Sequence, residues 1–383
     1  MKIAQVEIQL FHVPLAQPLA DAIHGTQRDF SLIVVTLRTD DGAAGMGYTY
    51  TVGQTGGTSV TAMLEDSVAP ILIGEDPRRI EHLWKKMWWA THYVGRGGIA
   101  SFAMSAVDIA LWDLKARLAQ EPLWRFLGGE DSKAEAYGGG IDFHMSIDEL
   151  LKQTAGFLEA GLNAVKIKVG RESIVEECQR VAAVRNLLGD DKKLMVDANM
   201  KWSVEKAIQA SHAFAEYGVY WLEEPTIPDD VEGNRRIETE GPIPVASGEN
   251  LHTIYEFQRI IADGGISFPD IDISNVGGIT AMLKVAHLAE AHNRNVTTHG
   301  IQDLHVSCLA AIPNASLLEI HAFRIDDYLV HPLQISDGYA FASDRVGHGV
   351  EIDWDRMERH RVSRKVINGR RRVPADALAD SLA

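Results

Sequence analysis

The stretch Asn163-Ala164-Val165-Lys166-Ile167-Lys168-Val169-Gly170 alternates like a β-strand, with Lys166 and Lys168 on one face and Val165, Ile167 and Val169 on the other. Taken alone it describes the edge of a sheet, where lysine meets water and discourages further pairing. Lysine is almost never fully buried unless paired, so an interior position demands acidic partners elsewhere in the chain. Whether such partners exist decides between an edge strand and an interior one.

The chain has 383 residues, more than one hydrophobic core usually serves, so two domains or one large barrel with additions are expected. Apolar residues make up 46%, enough core material for either, yet no run approaches the ~18 uninterrupted apolar residues of a membrane span. The N-terminus, Met1 to Ile8, alternates like a strand and lacks the basic-then-apolar layout of a signal peptide. A soluble, cytoplasmic protein without a membrane partner is expected. The formal charge of -16 argues against nucleic acid, although a local cation cluster can still dominate a pocket for small anions. Cys178 and Cys308 both fall in helical patterns and suggest ordinary packing, not a disulfide or a metal site.

Residues 1–129 have the texture of a separate α+β unit. Strand patterns at 2–15, 31–39 and 43–50, with the turn signal Asp40-Asp41-Gly42, precede apolar helical stripes over 59–72, 77–89 and 100–119. Gly128-Gly129 punctuates the chain, and over residues 130–324 short apolar strands then alternate with helices. The strands fall at 137–140, 163–170, 194–199, 219–225, 245–250, 270–276, 295–300 and 317–320. Ser146 with Glu149, and Thr253 with Glu256, have capping-box spacing at helix starts. Eight strands alternating with helices predict an α/β fold, a parallel (β/α)8 barrel of the TIM type. Residues 325–383 are loop-rich and are expected to pack back on the N-terminal unit.

Polar residues gather at the strand ends. Asp197 ends Leu-Met-Val-Asp, Glu223 ends Trp-Leu-Glu and Glu249 ends Ser-Gly-Glu, at equal intervals of 26 residues that place them at one height in successive βα units. Strand C-termini of such a barrel converge on one mouth, where its active sites lie. Three carboxylates there require neutralisation, and hard oxygen donors suit Mg²⁺. On the following strands Asp272 precedes His299, and a carboxylate beside an imidazole can accept its Nδ1 proton and raise its basicity. Lys166 and Lys168 then reach the mouth from one side and His299 from the other. Two adjacent ammonium groups in a poorly solvated site are expected to depress each other's pKa, making one of them a usable base. His24, on an N-terminal loop, is expected to touch substrate, and His252 and His305 follow strand ends and are candidates for the pocket wall.

The ordered set Lys166-x-Lys168, Asp197-x-Asn199, Glu223-Glu224-Pro225, Gly248-Glu249-Asn250, Asp272, His299 and Glu319 resembles the enolase superfamily, mandelate racemase subgroup, over essentially the whole chain. That superfamily uses a Lys or His base with Mg²⁺ to stabilise an enediolate. The resemblance implies an N-terminal α+β capping domain, completed by C-terminal residues, that closes over the barrel. It implies one Mg²⁺ per active site held by Asp197, Glu223 and Glu249, with Mn²⁺ able to substitute. It makes Lys168 one acid/base, tuned by Lys166, which also helps hold the substrate carboxylate. His299, oriented by Asp272, is the other. Glu319 would hydrogen-bond the enediolate oxygen away from the metal, and Asn199 would contact substrate.

The implied reaction removes the proton α to a carboxylate of a sugar acid and then eliminates a C3 oxygen, giving a 2-keto-3-deoxy acid, as in acid-sugar dehydratases. Polar loops at 18–27 and 48–57, with His24, Thr49, Tyr50, Thr51 and Gln54, suit a small hydroxylated carboxylate: an aldonic, aldaric or anhydro-aldonic acid. The segments Tyr93 to Gly98 and Thr298 to His305 are also similar to 3,6-anhydro-L-galactonate cycloisomerases, and racemisation or epimerisation of a 2-hydroxy acid is a further alternative. A catalytically idle sugar-acid sensor is disfavoured by the complete residue set. Assembly as a homo-oligomer is expected.

Overall fold

The alternation that begins at Ile3 runs well past residue 15. In the computed structural model, which describes residues 1–369, β1 (Ile3–Asp21) and β2 (Gly25–Thr39) form one long antiparallel hairpin. A register shift between Pro14 and Leu19, where Pro14 and Pro18 cannot donate to the ladder, splits the hairpin into a sheet segment and a projecting tip. At that tip Asp21 Oδ1 accepts the backbone N–H groups of Ile23 (2.8 Å) and His24 (2.6 Å), closing the turn. β3 (Ala44–Val52) adds on one side of this sheet and β14 (Arg361–Asn368) on the other, in the order β14-β1-β2-β3. The late segment therefore lies along β1; residues 370–383 of the expected C-terminal segment fall outside the described residues.

The helix Ile99–Ala119 lies on this sheet with its backbone close to β3. Gly45 and Gly47 permit the approach: a Cβ on Gly47 would sit 2.3 Å from the Ala106 carbonyl oxygen. The same helix docks the cap on the barrel. Asp108 accepts the Thr280 hydroxyl (2.6 Å) and N–H (2.8 Å), Ser105 Oγ accepts the Gly277 N–H, and Trp112 Nε1 donates to Thr280 Oγ1.

The barrel strands are β4 (Lys133–Gly139), β5 (Ala164–Lys168), β6 (Lys193–Asp197), β7 (Val219–Glu223), β8 (Val245–Ser247), β9 (Phe268–Ile271), β10 (Val296–Thr298) and β11 (Ala315–Ile320). They pair in sequence order, all parallel, and β11 closes on β4. Helices alternate with them, several begun by the expected caps. Ser146 Oγ accepts the Glu149 N–H while Glu149 accepts the Ser146 N–H. At Thr253 the Glu256 carboxylate instead reaches the His252 N–H, at 2.8 Å. β12 (Gln334–Ser336) and β13 (Tyr339–Phe341) form a hairpin whose second strand pairs antiparallel with β4, so part of the chain after 324 extends the barrel sheet. The strand expected at 270–276 stops at Ile271, because Asp272 turns the chain: its Oδ1 accepts the Ser274 N–H at 2.7 Å. Tyr137, Ala164, Met195, Trp221, Ala246 and Leu317 plug the barrel beneath its mouth. No helix among the described residues is long and apolar enough to cross a membrane.

Candidate active site

β5 lies between β4 and β6, not at an edge, and Lys166 and Lys168 are 0% and 5% exposed. The acidic partners that interior lysines require are present. Lys166 pairs with Glu223 and lies 3.0 Å from Glu319 Oε1 and 3.6 Å from Asp197 Oδ2, while Lys168 Nζ lies 2.5 Å from Asp197 Oδ2. Parallel registry sets this up by placing Lys168 opposite Asp197 and Asp197 opposite Glu223. Lys166 does depress Lys168 as expected, but the net direction is the opposite. Burial lowers both, but the surrounding carboxylates outweigh burial and like-charge repulsion together, and both lysines lie above their ordinary range.

One oxygen from each of Asp197, Glu223 and Glu249 lies within 4.8 Å of the other two. Burial pushes Glu223 well above the ordinary carboxylate range, with Lys166 opposing and Asp197 adding to the rise; Glu249 is raised by burial as well. Glu249 Oε2 is buried without a hydrogen-bond partner. Three clustered hard oxygen donors, one of them orphaned and none accompanied by sulfur, fit a divalent cation of the Mg²⁺ type.

Across the mouth, Asp272 Oδ2 accepts from His299 Nδ1 at 3.2 Å and from the Tyr50 hydroxyl at 3.2 Å. His299 Nε2 faces Glu249 at 3.5 Å. Burial pulls the imidazole down, but Glu249 and the Asp272 hydrogen bond outweigh it, and His299 is held well above its usual range. Asp272 is correspondingly lowered, because bonding to His299 overcomes burial. Glu319 accepts the Gly300 N–H at 3.2 Å with one oxygen and faces Lys166 with the other. Asn199 is buried with a left-handed backbone (φ 41°), and its Oδ1 has no partner.

A cavity of about 290 Å³ opens above His299 and Glu249. Polar groups line it from the cap (His24, Tyr50, Thr51, Thr55) and from the barrel (Asn250, His252, Ser274, Asn275), with Val52, Val60, Ile99 and Phe102 forming an apolar portion and no Lys or Arg lining it among the described residues. The wall is therefore less polar than the loops at 18–27 and 48–57 suggest, because Thr49 turns inward to donate to the Ser274 carbonyl (2.6 Å) and Gln54 pairs with Asp29. His305 is not a wall residue. It is buried, its Nε2 accepts the Ile273 N–H and its Nδ1 donates to the Gly300 carbonyl, so it braces the strand ends. Sequence reasoning missed one contact and two residues here. The Tyr50 bond to Asp272 joins residues 222 apart, which no local pattern carries. Asp270 and His321, each two residues from a named site residue at a strand end, were open to detection by period-two spacing alone. Asp270 is fully buried, both its oxygens are unpartnered, and burial raises its pKa to about 8.

Residues 5–128 match the family model described as the mandelate racemase / muconate lactonizing enzyme N-terminal domain, and residues 149–356 match that described as enolase C-terminal domain-like. A 3,6-anhydro-alpha-L-galactonate cycloisomerase of Streptomyces coelicolor is 47% identical over 93% of this chain and 99% of its own. An L-talarate/galactarate dehydratase of Salmonella typhimurium is 35% identical over 92% of this chain and 89% of its own. Among solved structures, a racemase from Streptomyces coelicolor with bound magnesium superposes with a TM-score of 0.92 at 46% identity, covering 94% of this chain and 100% of the other. An L-talarate dehydratase from Polaromonas complexed with Mg and L-glucarate gives 0.90 at 32% identity, covering 96% and 100%.

Proposed function

Since the chain belongs to the mandelate racemase / muconate lactonizing enzyme family of the enolase superfamily, we propose that it opens the ring of a 3,6-anhydro aldonic acid by Mg²⁺-dependent β-elimination. The observation that carries the chemistry is the placement of two proton-transfer groups on opposite sides of the Asp197, Glu223 and Glu249 cluster: Lys168 at 2.5 Å from Asp197, and His299 at 3.5 Å from Glu249. Lysine on one side and an aspartate-held histidine on the other can serve the two faces of one carbon.

Asp197, Glu223 and Glu249 would hold the cation. When bound, it supplies positive charge that stabilises the enediolate and competes with the lysines for the carboxylates. The protein's own groups do the rest. Lys166 orients the substrate carboxylate, and Glu319, which is held ionised here, would have to take up a proton before it could hydrogen-bond the enediolate oxygen. The free carboxylates hold both groups protonated; with those carboxylates engaged by the cation, one of Lys168 and His299 would release its proton and take the C2 proton in its place, the C2–H electron pair moving into the carboxylate to give the enediolate. As that pair returns, the C3–O bond breaks with its electrons going to oxygen, which receives a proton from the other group. In an anhydro acid the departing oxygen stays tethered through C6, so the first product is the open-chain enol, with a C2–C3 double bond, and transfer of its C2 hydroxyl proton to C3 gives the isomeric 2-keto-3-deoxy acid. With a free C3 hydroxyl the same steps expel water, which is the dehydratase reading. The likeness to a dehydratase favours that reading, whereas the apolar portion of the wall and the closer cycloisomerase relative favour the ring.

The test supplies Mg²⁺-loaded protein with 3,6-anhydro-L-galactonate, open-chain aldonates and aldarates, and measures 2-keto-3-deoxy acid and C2 deuterium exchange. Fastest turnover of the anhydro acid is expected. Turnover of open-chain acids alone would return the assignment to a dehydratase, and absence of C2 exchange with every acid would remove the function altogether.

A further inference from the structure

His321 lies just beyond β11, two residues after Glu319 and 3% exposed. With Glu319 and His299 it forms a trio whose candidate ligand atoms all lie within 4.8 Å, which resembles a metal site. The hydrogen bonding speaks against that reading. His321 Nδ1 accepts the Phe323 backbone N–H at 3.1 Å, and an amide N–H can only donate, so in a neutral ring the proton must sit on Nε2. Such a ring has no free lone pair for a cation. Charge is disfavoured as well: burial, joined by His299, Lys168 and Lys166 against an opposing Glu319, pulls the pKa to about 3.

The packing indicates a different role. The His321 and His299 rings meet edge to face, with centroids 4.8 Å apart at 65°. On its other side His321 packs against Phe323 at 4.9 Å, and Phe323 meets two cap residues, Phe30 at 5.7 Å and Tyr50 at 6.2 Å. Tyr50 in turn bonds Asp272, the partner of His299. An aromatic series thus runs from the capping sheet to the His299 ring, which Asp272 holds only at Nδ1.

We propose that His321 is a positioning residue, a neutral Nε2-protonated imidazole that fixes the His299 ring and, through Phe323, ties it to the cap. Asp272 sets the tautomer of His299 and its distance; His321 restrains the tilt that one hydrogen bond leaves free. The proposal rests on the role given to His299 above.

Two substitutions separate the ring from the acceptor. His321→Asn keeps an oxygen able to accept the N–H two residues on, as in an Asx turn, but loses the ring. His321→Phe keeps the ring and loses the acceptor. Misplacing a catalytic group by about 1 Å costs on the order of 100-fold. Product formation by folded, metal-loaded protein is therefore expected to fall ~100-fold in the Asn variant and no more than ~10-fold in the Phe variant, with KM little changed. The Phe variant should instead have the lower Tm. ¹⁵N spectra of the histidine side chains should give His321 as the Nε2–H tautomer, with His299 signals moved further by Asn than by Phe. Wild-type turnover in the Asn variant, equal losses in both variants, or a second metal equivalent that disappears with His321 would overturn the proposal. If wild type turns over no sugar acid, the function falls; the His299 spectra still decide this proposal, and equal movement in both variants refutes it.

Discussion

Replacing Asp272 by asparagine probes the site sharply, because the surrounding hydrogen bonds dictate how the new amide must turn. The Ser274 N–H, 2.7 Å from Oδ1, can only donate, so the amide carbonyl must face it. The NH₂ group is then left facing His299 Nδ1, where the wild-type carboxylate accepts at 3.2 Å. A donor in that position obliges Nδ1 to become an acceptor and moves the imidazole proton to Nε2, the nitrogen that faces Glu249. His299 can then take no proton on the side of the reaction. It also loses the carboxylate that stabilises its protonated form. That charge-assisted bond contributes ~1.5–3 kcal/mol, roughly 10- to 150-fold in rate. The same tautomer error in a serine-protease triad costs about 10⁴-fold in kcat, so turnover here should fall by ~10²–10⁴-fold. The Tyr50 hydroxyl, which donates to Oδ2 in the wild type, loses that acceptor, so stability should fall by no more than the ~1–3 kcal/mol of one unmade buried hydrogen bond. Steady-state product formation measures the loss, and ¹⁵N spectra report the tautomer. A variant keeping more than about a tenth of wild-type turnover, or a His299 still protonated at Nδ1, would refute this reasoning.

Chelation should stop turnover and Mg²⁺ or Mn²⁺ restore it, and Glu223→Gln should be inactive at any metal concentration while remaining folded by circular dichroism. If the substrate's C2 hydrogen faces Lys168, His299→Asn should block product but retain C2 exchange in deuterium oxide, whereas Lys168→Ala should lose both; the opposite C2 configuration swaps the phenotypes, and near-normal turnover in both variants would exclude these bases. At the cap–barrel contact, burial raises Asp108 to about 7 despite its bonds to Thr280. A carboxylate whose folded pKa exceeds its unfolded value holds its proton longer when folded, so its contribution to stability is present below pH ~4 and is lost as pH rises through ~7. Asp108→Asn cannot ionise and should flatten the decline of Tm over that window; an unchanged slope would assign the decline to other groups.

What the sequence discloses of this protein follows from periodicity. Strand alternation fixes the face on which a residue lies, and recurrence at 26 residues fixes its height, so the convergence of Asp197, Glu223 and Glu249 can be read without coordinates. Adjacency of consecutive strands likewise brings Asp272 to His299. Charge balance is not periodic. Whether Lys166 and Lys168 depress one another or are raised depends on distances of 2.5 to 3.6 Å to carboxylates on other strands, and the Coulomb energy at such separations in a buried site exceeds anything spacing along one strand can convey. Contacts between cap and barrel are equally hidden. The Tyr50 bond to Asp272 and the Thr49 bond to the Ser274 carbonyl exist only after the long hairpin and the helix Ile99–Ala119 have docked.

The composition of the cavity wall shows how such hidden contacts bear on chemistry. A polar loop sequence favours open-chain acids with many hydroxyls, provided its polar groups face the substrate. Here Thr49 and Gln54 satisfy themselves within the protein, and Val52, Val60, Ile99 and Phe102 take their place. A substrate hydroxyl set against that apolar portion loses water without gaining a partner, a cost on the order of 1–3 kcal/mol, and a second carboxylate without Lys or Arg beside it costs more. An anhydro ring has one hydroxyl fewer at C3 and C6 alike, presents C–H surface to the apolar side chains, and carries a single carboxylate for Lys166 and the metal-holding cluster. The residues that carry out proton transfer are common to elimination of water and of a tethered ether. On the proposed reading it is the wall that separates the two outcomes, through which cap side chains turn inward, and exchanging Phe102 for a polar residue should then raise turnover of open-chain acids relative to the anhydro acid, an unchanged ratio refuting it.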